Sequence, residues 1–204
     1  LSDRAKGILM SLVGVAVLSP DSLLIRLAGL DDYTLIFYRG LFPACTITLI
    51  LWLHYRGDFV PALLRIGWAG VLNGVLFATV NISFISAIQR TSVANTLLFL
   101  SSAPIFAALL SLLILRENQR PSTWLIIAIA LLSILIIGWG SYGGHGLAGD
   151  LFALGCAVVT AASAVLVRYR KEIDLVPSVI LGSLLTAAYA LTKSPELAVT
   201  SEQL

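Results

Sequence analysis

Runs of about 20 predominantly apolar residues, bounded by charge, Gly or Pro, recur along the whole chain, and a helix of that length crosses a hydrocarbon core roughly 30 Å thick. Seven such runs can be drawn, over residues 7–30, 33–53, 66–88, 92–115, 122–139, 151–167 and 175–191. With 58% apolar and 12% charged residues and a mean hydropathy of +0.96, the composition leaves no room for a soluble domain. The runs are unbroken rather than alternating in ten-residue segments, which favours helices over a membrane β-barrel. The expected fold is therefore an all-α membrane protein, a multi-span helical bundle.

The apolar part of the first run is too long for a signal peptide and has no small-residue cleavage pattern at its end, so it reads as a retained span. The chain opens on Leu1, which suggests that a few residues precede it. Cys45 and Cys156 both fall in expected spans, where an isolated Cys acts as a small apolar packer, and no disulfide is expected.

Assigning Lys and Arg to alternate sides of the membrane gives a clear asymmetry. Arg4, Lys6, Arg56, Arg65, Arg116, Arg120, Arg168, Arg170 and Lys171 share one side, while only Arg90 and Lys193 fall on the other. By the positive-inside rule the N-terminus is cytoplasmic and the glycine-rich stretch 140–146 faces outward. Arg26 and Arg39 lie within spans, and Arg26 is close enough to the outer boundary to snorkel. No basic cluster with interleaved aromatics suggests a nucleic-acid partner.

The nine residues from Gly14 to Ser22 align without gaps on those from Gly155 to Ser163, with Gly, Ala, Val and Ser identical. This equates the first span with the sixth, so a unit holds five spans, and an odd number forces the second unit to insert upside down, as in inverted-repeat carriers. Two units of about 140 residues would need on the order of 280, so the chain reads as the first five-helix repeat, 1–141, and the truncated start of a second, 147–204. On that reading the tail after Lys193 is a loop leading to an eighth span. The competing reading is a complete seven-span protein.

At this point the residues match a family. The stretch from Phe37 to Phe42 (FYRGLF), the long run from Thr91 to Leu115, the connection from Arg116 to Trp124 (RENQRPSTW) and the segment from Gly149 to Arg170 together resemble the EamA family of the drug/metabolite transporter superfamily. The resemblance implies ten helices in two five-helix units and transport of small metabolites across a bacterial inner membrane, often outward. One departure is that many members carry Trp-Gly in the first span near the position of Ser19, Pro20 and Asp21.

That stretch, Leu18 to Ser22, has the sequence of a helix start, with Ser19 as N-cap, Pro20 in the first turn and Asp21 as the acidic second position, yet it lies late in an apolar run. Asp21 is the one acidic residue inside an expected span, where an ionisable group costs at least about 2.5–3.5 kcal/mol and usually pairs or lines a cavity. By helical rise Asp21 lies roughly 10–14 Å below the outer end of its helix and Arg39 roughly 9 Å inside the next, so the two are level. At the aligned positions the sixth span has Ala161 and Ala162, so the scaffold does not require Pro20 and Asp21. Two roles stay open for Asp21: substrate or proton coupling, and a buried pair with Arg39 that fixes two helices.

Asn73, Asn81 and Asn95 are further polar residues within spans and suit interhelical hydrogen bonds, with a ligand role for Asn81 and Asn95 as the sharper alternative. Near the middle of the fourth span Pro104 removes a backbone donor, and the hydroxyls of Ser101 or Ser102 can compensate, giving a kink or a cavity-lining backbone. Trp52, Trp68, Trp124 and Trp139 lie near span ends as an aromatic belt. Gly70 and Gly74, Ala103, Ala107 and Ser111, and Ala153, Ala157 and Ala161 form small-residue ladders for contacts within the carrier or between the subunits of a homodimer.

The leading functional class is a secondary transporter working by alternating access, with a small metabolite and the lipid bilayer as partners, and probes for other chemistry come up empty. There is no GxxxxGK[ST] phosphate loop, no nucleophile with a positioned base and no metal-ligand cluster. His54 and His145 fall at span ends on opposite sides, and no cofactor or enzymatic activity is expected. A seven-span channel, receptor or enzyme is the alternative.

Overall fold

The computed structural model describes residues 3–18, 20–116 and 146–193, together with Trp124, Leu125, Ile127, Ala128, Ile129, Leu131, Leu132 and Ile136. The chain forms two compact units, Leu1–Leu30 and Asp31–Leu204. The described residues contain helices and turns and no strand.

The first unit holds α1 (Asp3–Leu18) and α2 (Asp21–Ala28). The expected single span over 7–30 is thus two helices. Pro20 is the N-cap of α2 and Asp21 its first residue, so the helix starts one position later than the expected Ser-Pro-Asp assignment. A proline has no N–H to donate into a preceding turn, so the second helix starts on its carbonyl, which accepts from the Leu24 N–H at 2.9 Å. Gly29, at φ +60°, closes α2 in the left-handed conformation that glycine adopts without a Cβ penalty. Ser19 and the side chain of Arg26 lie outside the described residues, and with them the expected cap and the snorkelling arginine.

In the second unit, α3 (Asp32–Tyr55) begins at the Asp31 carboxylate, which accepts from the Tyr33 and Thr34 N–H groups at 3.1 Å each. Burial works against the charged form of Asp31, but the bonds from Thr34 and Tyr33 outweigh it and hold the carboxyl below its ordinary range. One 3-10 turn, Arg56–Asp58, leads to the short α4 (Phe59–Arg65). Then follow α5 (Gly67–Arg90), α6 (Val93–Leu100) and α7 (Ala103–Ile114). After the gap in description come α8 (Leu147–Tyr169) and α9 (Ser178–Lys193).

Among the described residues four stretches are long and apolar enough to cross a membrane: Asp32–Arg65, Gly67–Arg90, Val93–Ile114 and Leu147–Tyr169. They match the second, third, fourth and sixth expected spans. The seventh is the 16-residue α9, and most of the fifth, over 122–139, lies outside the described residues, as do Trp139, His145 and the tail after Lys193.

The core is built on α5, which packs against α3, α8 and α9. Its buried positions, among them Ala69, Asn73, Gly74, Ala78, Asn81, Ile85 and Ile88, recur every three or four residues and so form one stripe. The facing stripe of α8, with Ala153, Ala157 and Ala161, is buried throughout, so the expected alanine ladder is a helix contact inside this unit. At Gly182 and Gly40 the backbones touch. A Cβ on Gly182 of α9 would lie 2.6 Å from the Gly74 carbonyl oxygen of α5, and one on Gly40 of α3 would lie 2.5 Å from the Ala187 nitrogen of α9. Gly70, the other half of the GxxxG, faces Ile66 at the start of its own helix. Large apolar residues such as Leu98, Leu113 and Leu151 cover the outside, where a bilayer would meet them.

Asn73 ties three helices together. Its amide donates to the Ser178 hydroxyl of α9 at 2.8 Å and its oxygen accepts from the Ser163 hydroxyl of α8 at 2.7 Å. Cys156 is buried, its thiol against the Val80 carbonyl, whereas Cys45 is exposed; both are free thiols.

Candidate functional site

Arg39 and Asn81, two of the candidates read from the sequence, are brought together by the packing of α3 on α5. The Arg39 Nε donates to Asn81 Oδ1 at 2.9 Å, and the guanidinium lies over the Phe84 ring, 4.9 Å from its centre. Asn81 is buried and fixed in turn, its Nδ2 donating to the Phe77 carbonyl one turn back at 3.0 Å. A charge-assisted bond and an aromatic face hold the cation in place. Pro43 sits inside α3 and has no N–H to offer the carbonyl of Arg39, four residues earlier. The same residue therefore carries a cation and a carbonyl deprived of its usual donor four residues on. Asp21 heads α2 in the first unit and Arg39 belongs to the second, so their expected pairing stands as a proposal.

The span Val93–Ile114 is interrupted where the sequence placed its kink. Ser101 and Ser102 form a turn between α6 and α7, and Pro104 is the second residue of α7. The Ser102 N–H bonds the Phe99 carbonyl in place of the helical partner four residues back, Leu98, and the Ser101 hydroxyl donates to the Leu98 carbonyl at 2.7 Å. The Ser102 hydroxyl, buried, donates to the Phe99 carbonyl. The two serines thus serve the interrupted backbone. Neither joins the Arg39 cluster by any bond the structure shows.

Asn95 lies elsewhere, at the junction of α5, α6 and α8. Its Nδ2 approaches the Thr91 Oγ1 at 3.5 Å and the Asp150 Oδ1 at 3.4 Å, while the Thr91 hydroxyl donates to the same Asp150 oxygen at 2.7 Å. Asp150 is only 4% exposed, and among the described residues its other oxygen, Oδ2, is buried with no hydrogen-bond partner. Sequence reasoning missed this group. A sixth span beginning at Leu151 leaves Asp21 as the one acidic residue within a span, whereas α8 starts at Leu147 and carries Asp150 in its first turn. The signal that could have found it is Gly149, whose missing Cβ lets α8 lie against Arg90 and Thr91. Beside it Arg90 bonds Asp32 of α3 at 3.0 Å and the Ser86 carbonyl at 3.0 Å, with Phe152 under its guanidinium at 5.4 Å.

At the other end of α3 the Tyr55 hydroxyl donates to Asp174, which precedes α9, beside a cavity of about 320 Å³ lined by Arg65, Glu172 and Pro177 among others. Among the described residues no three His, Cys, Asp or Glu side chains gather as a metal site.

The EamA-like transporter family matches residues 5–139 of the chain. Neither a curated protein nor a solved structure matches it.

Proposed function

Because the chain belongs to the EamA-like transporter family, within the drug/metabolite transporter superfamily, and carries several membrane-length helices, we propose that it is a secondary carrier of small metabolites working by alternating access. The reading extends to a bacterial inner-membrane exporter with a cytoplasmic N-terminus, as the distribution of Lys and Arg suggests. The observation that carries it is the Arg39 guanidinium, the eighth residue of a membrane-length helix and so roughly 10 Å along it, held by Asn81 and Phe84 beside a proline-broken ladder. A cation at such depth is costly, and ionisable groups so placed commonly mark a substrate pathway. Asp21, at the head of the short helix after the break at Pro20, is the proposed partner that either joins Arg39 when no cargo is bound or takes a proton in exchange. Rocking of the two halves would then expose the site to each side in turn.

The test is uptake and efflux in membrane vesicles of the full-length protein over a panel of metabolite classes, with and without a proton gradient. Flux of at least one class is expected, reduced in Arg39→Gln and in Asp21→Asn. Normal transport in both single variants and in the double variant would sink the assigned site, and failure of every class to move would sink the carrier reading.

A further inference from the structure

Where α3 ends, the chain builds a polar enclosure that the arrangement around Arg39 does not use. The 24 residues of α3 rise about 36 Å, enough to cross a hydrocarbon core of roughly 30 Å, so the 3-10 turn and α4 that follow lie at a membrane boundary. Helix α4 has two faces. Val60 and Leu64, four residues apart, are 60% and 78% exposed, whereas Ala62 and Arg65, three apart on the other side, line the cavity of about 320 Å³ beside Tyr55. The outward Val60 and Leu64 suit the boundary between headgroups and acyl chains, which places the rim of the cavity in the lipid interface. Exposed Trp68 stands just beyond, as a residue of an aromatic belt does.

The charges on the lining are of both signs. Arg65 comes from α4, and Glu172 and Asp174 come from the connection between α8 and α9. Asp174 is already engaged, one oxygen accepting from the Tyr55 hydroxyl and the other from the Val176 N–H at 2.9 Å. Among the described residues the Arg65 guanidinium and the Glu172 carboxylate have no hydrogen bond or ion pair, with each other or with a third group. Arg170 does not serve them, since its guanidinium lies over the Trp68 ring, 4.9 Å from the centre. Two opposite charges that share a cavity without meeting leave room for a group that carries both.

We propose that this cavity docks the headgroup of phosphatidylethanolamine, the phosphate on Arg65 and the primary ammonium on Glu172, with Asp174 beside it. A primary ammonium has three N–H donors to offer a carboxylate, and a phosphate takes charge-assisted bonds from a guanidinium. The pairing selects among lipids. Phosphatidylcholine keeps both charges, but its quaternary nitrogen has no N–H to give. Phosphatidylglycerol brings a phosphate and no cation to set against Glu172 and Asp174. The acyl chains leave past Val60 and Leu64 into the bilayer. The site is separate from Arg39 and from the carrier reading, and needs only that α3 spans the membrane.

Native mass spectrometry of the detergent-purified full-length protein, offered the three lipids at equal concentration, reads bound lipid without any transport. One bound phosphatidylethanolamine is expected, retained roughly fivefold over the other two, as one further charge contact at a membrane surface supplies. Glu172→Gln should lose most of that preference, Glu172→Lys should turn it toward phosphatidylglycerol, and Arg65→Gln should weaken retention of all three. Both positions are exposed, so the variants should keep their helical circular dichroism. Equal retention of the three lipids by the unmodified protein, or a preference unchanged in Glu172→Gln and Glu172→Lys, overturns the proposal. Displacement of the lipid by soluble phosphoethanolamine at equal concentration overturns the assignment to a lipid. The vesicle screen is independent, so absence of metabolite flux with the lipid preference present fells the carrier reading and leaves the lipid site in place.

Discussion

Replacing Gly149 by Ala tests whether the close approach of α8 to α5 is what assembles the Asp150 junction. The new Cβ would lie 2.6 Å from the Thr91 nitrogen, and 2.7 Å from both the Arg90 carbonyl carbon and the Thr91 Cβ. All three belong to or sit directly on backbone, so no flexible side-chain end can give way. Ordinary contacts settle near 3.5–4.0 Å, so the helices must part by about 1 Å. The Thr91 to Asp150 hydrogen bond, now 2.7 Å, would lengthen beyond useful range. Overpacking of this kind costs about 1–3 kcal/mol, and a lost bond to a charged group about 1.5–3 kcal/mol. Ala regains about 1 kcal/mol over Gly in a helix. A net loss of about 1.5–5 kcal/mol is expected on these terms. The internal control is Gly155 in the same helix, where an added Cβ meets nothing within 4 Å. Gly155→Ala should therefore be neutral or stabilising. Equilibrium unfolding of both variants in mixed detergent micelles, followed by circular dichroism, checks this. If Gly149→Ala unfolds with wild-type stability, or Gly155→Ala loses as much, the junction does not depend on the contact.

Asn81→Leu leaves the Arg39 Nε without its acceptor and should cost about 1.5–3 kcal/mol of folding stability, while Asn81→Leu with Arg39→Met should cost less than the two single changes added; a double-mutant cycle on detergent-purified protein measures the coupling. Asp31→Ala removes the cap of α3 and should lower stability by about 0.5–2 kcal/mol at neutral pH, read by thermal unfolding. The Asp31 carboxyl is held below its ordinary value in the folded protein, so its contribution is complete above the unfolded value of about 3.9 and fades as pH falls through the folded one. The Asp31→Ala deficit should therefore shrink in acid. A deficit that grows on acidification contradicts the assignment. Ser102→Ala removes a buried hydroxyl from the Phe99 carbonyl and should cost about 1 kcal/mol, with the turn kept by the Ser102 N–H.

What the sequence made legible follows from the kind of signal each feature leaves. Apolar length located the second, third, fourth and sixth spans to within a few residues, because transfer into a bilayer is set by the sum over a long window. Proline located both interruptions, at Pro20 and at Ser101 and Ser102, because the missing N–H is a local property. Pairing was harder. The bond from Arg39 to Asn81 left no trace to read, because a neutral amide gives no charge signal along the sequence. Asp150 escaped because window averages blur the ends of spans, and a start placed at 151 instead of 147 moved a buried carboxylate into a loop. Gly40 and Gly182 were not singled out, since a glycine's spacing along a helix does not reveal which backbone will approach it.

Helix α9 shows what such glycines imply for the making of the protein. Its 16 described residues rise about 24 Å and pack against α3 and α5. The helices it touches, α3 and α5, leave the ribosome well before it does. Gly40, Gly74 and Gly182 shape two surfaces that no lipid tail fills as closely as a helix backbone, so the late helix is recruited by fit to partners already embedded. Widening either surface with a Cβ would then show first in biogenesis, as chains whose last described helix reaches the membrane and fails to settle there.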